Sequence, residues 1–230
     1  MNTTLPPLVP LERNTLWDSA YVSLRTALME GRLAPGQRIV LRDVAERLGI
    51  SLTPVRDAVN RLIAERVLER GVVGQGGGAT VPLLDADQFR QLMAVRACLE
   101  PGATVAAAPN VTPAALAEIE QALRAMETTF DEKRPDAYLQ AHHRFHFGIY
   151  ALCRMPIMLE IIEMAWVRCA PTLTLGLPEY VPGLKRFPLH VACVEALRRG
   201  DGERAAAAIR DDIDSARDDI VPLLERASRS

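Results

Sequence analysis

From Leu16 to Glu30, apolar residues recur at helical spacing (Leu16, Ala20, Leu24, Ala27, Leu28), and Gly31 follows where a helix C-cap belongs. Pro35-Gly36 marks a turn. A second, short helix is predicted from Leu41 to Leu48 and is closed by Gly49. A third starts at Ser51 or Thr53, either of which can cap it. Pro54 lies in its first turn, and Val55, Val59, Leu62 and Ile63 form its apolar face. The glycine-rich run from Gly71 to Val81, flanked by β-formers, predicts a two-stranded hairpin. A support helix, two helices joined by a tight turn and a trailing hairpin read as a winged helix-turn-helix over residues 14–82. Residues 1–13 carry several prolines and no period, and are expected to form a flexible arm.

From Asp85 the pattern changes to long helical stretches with short breaks. Helices are predicted over Asp85–Ala108, from the Thr112-Pro113 cap to Phe130, from an Asp136 cap to Cys153, and from Pro156 to Cys169. Pro171 to Pro188 reads as loop or broken helix. Leu189–Arg199 and Asp201–Ala227 follow, parted at Gly200. The fold expected is mainly α: an N-terminal winged helix-turn-helix and, over residues 85–228, an all-α antiparallel bundle of about six helices.

Composition narrows the setting. The 230 residues are 49% hydrophobic and 24% charged, with a formal net charge of −2, close to the globular average. No stretch of roughly 18 apolar residues can span a bilayer, and the first ten residues lack a secretory pattern. A cytoplasmic protein with no membrane partner is expected. Its four cysteines, Cys98, Cys153, Cys169 and Cys193, form no CxxC pair and read as buried, reduced thiols. Lys occurs only at positions 133 and 185, so Arg carries the positive charge, a bias that a GC-rich genome also produces. Ten Arg stand against eight acidic residues between positions 12 and 81, too small an excess to indicate nucleic-acid binding by charge alone. Pattern alone therefore leaves a small helical subdomain as the alternative.

Of the four histidines, three cluster in His142-His143-Arg144-Phe145-His146. His142 and His146, one helical turn apart, can chelate one ion, although partly exposed surface histidines have the same spacing. A hydrolytic zinc helix needs Glu as base at position 143; His143 stands there and is expected to point away from the pair, either facing solvent or supporting the ligands from behind. There is no Ser/His/Asp set and no phosphate-cradling glycine loop, so an enzyme is disfavoured.

The run from Leu24 through Gly31, Pro35-Gly36 and Leu48-Gly49-Ile50-Ser51-Leu52-Thr53-Pro54-Val55-Arg56-Asp57-Ala58 resembles the winged-helix domain of GntR-type bacterial transcription regulators. The bundle resembles the FCD effector domain of the FadR subfamily through Val95–Glu100, Phe145-His146, His190 and Gly200-Asp201, and its six helices resemble the VanR-type branch. The resemblance spans residues 14 to about 225. It implies a homodimeric, ligand-responsive regulator, with repression relieved by a small organic acid as the expected behaviour.

By the same resemblance, Arg42, Ser51, Thr53 and Arg56 match positions that contact double-stranded operator DNA, and Gln75-Gly76 match the wing tip. Arg can take a phosphate or a guanine edge, and the hydroxyls suit phosphates or bases. An internal ion pair of Arg56 with Asp57 or Glu65 is the alternative. Leu52 stands where many relatives carry Arg, so one base contact is altered. The resemblance also implies a metal site, with ligands exchanged. Relatives present Asp, then the Phe-His histidine, then two later histidines, and these positions hold His142, His146, His190 and Asp212 here. Asp211 is the neighbouring alternative. Three imidazoles and a carboxylate suit a divalent transition metal, Zn²⁺ as isolated, with Ni²⁺, Mn²⁺, Fe²⁺ or Co²⁺ as alternatives. Arg96, matching a family arginine, and Arg168 are the candidates for holding an effector carboxylate; for Arg96 a pair with Glu100 at i+4 is the alternative. A metal sensor with the ion as signal is the first rival reading, and a metal-dependent enzyme the second.

Overall fold

Local chemistry sets where the helices begin. Asp85 accepts a hydrogen bond from the Gln88 amide at 2.8 Å while Gln88 Oε1 accepts from the Asp85 amide at 3.1 Å, a reciprocal cap that starts α4 (Ala86–Ala107). Thr112 caps α5 (Pro113–Asp131) through the Ala115 amide, with Pro113 in the first turn. Asp201 does the same for α9 (Gly202–Ala227) through the Arg204 amide. These features come from a computed structural model that describes residues 16–71, 78–176 and 185–228. The N-terminal arm at 1–13 and the wing-tip pair Gln75-Gly76 lie outside the described residues.

The N-terminal unit comprises α1 (Leu16–Met29), β1 (Arg38–Val40), α2 (Leu41–Leu48), α3 (Leu52–Ala64), β2 (Glu69–Arg70) and β3 (Gly78–Thr80). Gly49 ends α2 in the left-handed region, at φ 64°. Ser51 holds the N-cap position of α3, but neither its hydroxyl nor that of Thr53 closes a cap bond there. The predicted hairpin is larger than expected. β3 pairs antiparallel with β2 and also with β1, in the register Ile39 to Ala79, giving the order β1-β3-β2. Ile39 and Ala79 are both buried, so the third strand closes one side of the winged-helix core.

The C-terminal unit holds six helices among the described residues: α4, α5, α6 (Pro135–Tyr150), α7 (Pro156–Leu173), α8 (Phe187–Arg198) and α9. α4 packs chiefly on α9 and α7, α5 on α6, and α8 on α9. Three boundaries differ from expectation. α6 starts at Pro135 with Arg134 in the cap position, because proline's fixed φ already suits a first turn. α8 starts at Phe187 with Pro188 in its first turn, not at Leu189. α7 continues through Pro171 to Leu173, where burial of Pro171, Thr172 and Leu173 offsets the one backbone bond that proline removes.

The two cores are not separate. Val167 of α7 is fully buried in the winged-helix core, and Phe147 of α6 packs against both cores. Arg25 of α1 pairs with Glu163 of α7 at 2.9 Å. Gly31, just after α1, lies so close to α6 that a Cβ there would stand 2.7 Å from Leu139 Cδ1.

Candidate metal centre and DNA-facing surface

α6 carries two adjacent stripes. Tyr138, His142, His146 and Tyr150 recur every four residues, and so do Leu139, His143 and Phe147, about 100° further round the helix. The first stripe points into the bundle. There His142 and His146 meet His190 from α8 and Asp212 from α9, all four buried, with one ligand atom from each lying within 4.8 Å of the others. His142 Nε2 is 3.1 Å from His146 Nε2. Asp212 Oδ2 is 3.6 Å from His146 Nε2, and Asp212 Oδ1 is 3.6 Å from His190 Nε2. It is Asp212 that joins the group, not Asp211, which is exposed.

The donor chemistry fits a metal ion. His190 Nε2 and Asp212 Oδ1 are buried with no hydrogen-bond partner, a costly arrangement unless something between them is bound. His190 Nδ1 faces the Arg186 carbonyl at 3.0 Å, so that nitrogen carries the proton and Nε2 presents its lone pair. Burial, reinforced by the charges of His190 and Arg186, pushes His142 well below the usual imidazole range. Burial with His142 and His190 as neighbours does the same to His146. His190 is lowered by burial, which outweighs the opposing pull of Asp212. Three neutral imidazoles beside a carboxylate form a set suited to a borderline divalent cation.

The arginines fall into different places. Arg96 is buried with its Nε 2.7 Å and its Nη2 3.3 Å from the two oxygens of Glu100, and its Nη1 faces the sulfurs of Met93 and Cys169 at 3.5 Å. Its guanidinium also lies over the Trp166 ring, 4.1 Å from the centroid. Burial alone would depress the guanidinium, yet Glu100 overrides this and holds it above its ordinary value. Arg168 is not brought to the cluster. Two residues from Trp166, it lies about 200° round α7 from the side that faces the histidines. The guanidinium that does stand beside the cluster is Arg186, with Nε 3.7 Å from Asp212 Oδ1, and sequence reasoning missed it. Its position four residues before His190 was the available signal.

At the other end, Arg42 on α2, Ser51 at the N-cap of α3, and Thr53 and Arg56 in the first turns of α3 are all exposed. Among the described residues Arg56 makes no ion pair. Glu65, its suggested partner, instead takes Arg61 at 2.9 Å and Tyr21 at 2.7 Å.

Comparison with known proteins identifies both units. The profile of bacterial regulatory proteins of the gntR family matches residues 16–81, and that of the FCD domain matches residues 91–215. The chain belongs to the GntR family of transcription regulators and carries an FCD domain. The HTH-type transcriptional regulator McbR of Escherichia coli K12 is 34% identical over 150 residues, which take in 65% of this chain and 66% of that protein. BphR of Paraburkholderia xenovorans LB400, an uncharacterized HTH-type transcriptional regulator, is 24% identical over 88% of this chain and 84% of its own. The solved structure of E. coli McbR/YncC superposes with a TM-score of 0.82 and 26% identity, covering 94% of this chain and 100% of that one. These relatives are regulators of transcription and none is an enzyme.

In this GntR regulator the half-buried side chain of Leu52, at the start of α3, packs against the winged-helix core. His143 turns away from the ligand pair, as expected, but toward the GntR domain and not to solvent. Its ring lies on Phe147 at 4.5 Å, and Glu30 and Arg25 are its charged neighbours. Among the described residues no helix is long and apolar enough to cross a membrane.

Proposed function

We propose that this regulator binds operator DNA as a homodimer through Arg42, Ser51, Thr53, Arg56 and the wing at Gln75-Gly76. In this reading its FCD domain holds one divalent transition metal on His142, His146, His190 and Asp212. The observation that carries the metal assignment is the buried four-donor cluster, in which His190 Nε2 and Asp212 Oδ1 have no hydrogen-bond partner. When bound, the ion supplies a Lewis-acidic point that can take an oxygen of a small organic acid. Arg186, which stands beside Asp212 and also 3.6 Å from Asp219 Oδ2, is the guanidinium proposed to receive the acid's charge. The response reaches DNA through α6. Its ligand stripe and its Leu139–His143–Phe147 stripe belong to one rigid helix, and the second stripe packs against the GntR domain. An effector that shifts α6 thereby favours one placement of the winged helices, and the coupling equals its differential affinity for the two states. Repression relieved by the effector is the sign proposed; the E. coli relative RspR, 21% identical over 91% of this chain, is named a transcriptional repressor.

One observation favours a second reading in which the ion itself is the signal. The Arg96 donors are directed to Glu100 and to two sulfurs, so the arginine matched by resemblance is already engaged. Elemental analysis of the untagged protein beside His146→Ala/His190→Ala tests the site. One transition metal per chain, lost in the double variant, is expected, and no metal after reconstitution with Zn²⁺, Ni²⁺ or Mn²⁺ refutes it. DNA titrations then separate the readings. Affinity that changes with metal alone supports the sensor, and affinity that changes only when a small carboxylate joins the metal supports the effector-responsive regulator.

A further inference from the structure

Behind the cluster lies a polar chain that spans three helices. His146 turns Nε2 toward the other ligands and Nδ1 toward the Tyr150 hydroxyl, 2.9 Å away. The same hydroxyl stands 2.7 Å from Glu100 Oε2. A phenol has one proton and the ion-paired carboxylate can only accept, so Tyr150 donates to Glu100 and accepts from His146 Nδ1–H. That direction fixes the His146 proton on Nδ1 and leaves its Nε2 as a lone pair aimed at His142 and Asp212. Glu100 is itself immobilised: besides Tyr150 it accepts from Arg96 and, at 2.8 Å, from the Trp166 indole N–H. Glu100, Tyr150 and Trp166 are all buried, on α4, α6 and α7.

We infer that Glu100 and Tyr150 are positioning residues for the metal centre, a relay in which the Arg96–Glu100 pair sets the tautomer and orientation of His146 through the Tyr150 hydroxyl. The inference rests on the metal reading above. It gives the buried arginine a role other than grasping an effector: Arg96 neutralises and orients the carboxylate at the end of the relay. His190 is prepared in the same sense by a simpler acceptor, the Arg186 carbonyl. Two of the three imidazoles thus have their outward N–H fixed, one by Tyr150 and one by the Arg186 carbonyl. Groups that hydrogen-bond the far nitrogen of a ligating histidine raise its basicity and fix its ring, and their loss commonly costs about 10–100-fold in metal affinity.

Tyr150→Phe removes the hydroxyl and keeps the ring. Zn²⁺ affinity, measured by competition with a chromophoric chelator on the full-length protein, should fall about 10–100-fold. Thr104→Val is the comparison. It deletes a buried side-chain bond to the Glu100 carbonyl on the same helix without touching the relay, and it should leave Zn²⁺ affinity at the wild-type value. Wild type that binds Zn²⁺ while Tyr150→Phe binds equally well overturns the relay alone. Wild type that takes up no Zn²⁺ overturns both the relay and the metal reading. A metal-free readout stands beside these: nitrogen NMR of histidine-labelled wild type should show His146 as the Nδ1–H tautomer. His146 found as Nε2–H refutes the relay, even if Tyr150→Phe fails to fold.

Discussion

Gly31 and Leu139 approach closely across the boundary between the two units, and the contact can be tested by a double-mutant cycle. Gly31 has φ +64°, a conformation that disfavours an L side chain by about 1–2 kcal/mol. An alanine Cβ there would lie 2.7 Å from Leu139 Cδ1 and 3.1 Å from Thr174 Cγ2; both are ends of side chains that can turn aside, so the overlap should cost about 1 kcal/mol, the low end for overpacking. Gly31→Ala should therefore destabilise the protein by about 2–3 kcal/mol. In a Leu139→Ala background the 2.7 Å overlap is gone and only the backbone strain and the lesser Thr174 contact remain, so the same substitution should cost nearer 1.5 kcal/mol. The difference, about 1 kcal/mol, is the coupling across the interface. Urea unfolding followed by tryptophan fluorescence gives all four stabilities. Equal costs of Gly31→Ala in the two backgrounds would show that α6 and the end of α1 are not in contact in solution, and the proposed route from ligand pocket to DNA would lose its main support.

Three further outcomes follow from the same geometry. Glu100→Ala strands the buried Arg96 charge together with the Tyr150 and Trp166 donors and should cost about 3–5 kcal/mol, whereas Arg96→Met/Glu100→Leu, which removes both charges, should cost less than that single change; thermal unfolding decides, and a double variant worse than Glu100→Ala refutes the pair. Arg56→Ala should weaken binding to a DNA fragment selected in vitro with the wild-type protein and, where a phosphate contact is lost, lower the salt slope by about 1, with metal content unchanged; undiminished affinity removes Arg56 from the interface. Native protein should give one fast-reacting thiol to Ellman's reagent and four in denaturant, because Cys98 is exposed while Cys153, Cys169 and Cys193 are buried, with burial first and Asp212 second pushing the Cys193 thiol up to about 12; three fast thiols in the native state would contradict this packing.

Much of this was legible along the chain because it is written in local chemistry. The Asp85/Gln88 cap, the Thr112-Pro113 start and the Gly49 stop each depend on a few neighbouring residues, so their positions follow from sequence. His142 and His146 meet because a helix turn is four residues, and the Arg96–Glu100 pair uses the same spacing. That His190 and Asp212 complete the group came from the family resemblance, since nothing local on α8 or α9 points to it. Features settled by packing between distant segments were out of reach. Pro171 reads as a breaker until its burial is known. β1 became a strand only because β3 was there to pair with it. The Tyr150–Glu100–Trp166 connection needs three helices to be placed before any of its bonds can be seen.

The magnitudes also indicate what would carry the proposed signal between the two units. The Arg25–Glu163 pair is only partly shielded, with side-chain exposures of 17% and 32%, and ion pairs near the surface contribute about 0–1 kcal/mol. Val167 is wholly buried in the winged-helix core although it belongs to an FCD helix, and a buried side chain of that size is worth roughly 1.5–3 kcal/mol. Phe147 joins both cores from α6, on the stripe next to the ligand histidines. Allosteric couplings typically amount to about 1–3 kcal/mol, a scale that the apolar contacts reach and the ion pair does not. Packing resists small displacements and yields in steps, so a shift of α6 set by its ligand stripe must either be absorbed at Leu139, His143 and Phe147 or passed on to α1. Gly31, with no side chain to yield, leaves little room for absorption. In the proposed reading the rigid neighbour of the metal cluster is therefore the GntR domain itself, and the short path between them is one face of α6.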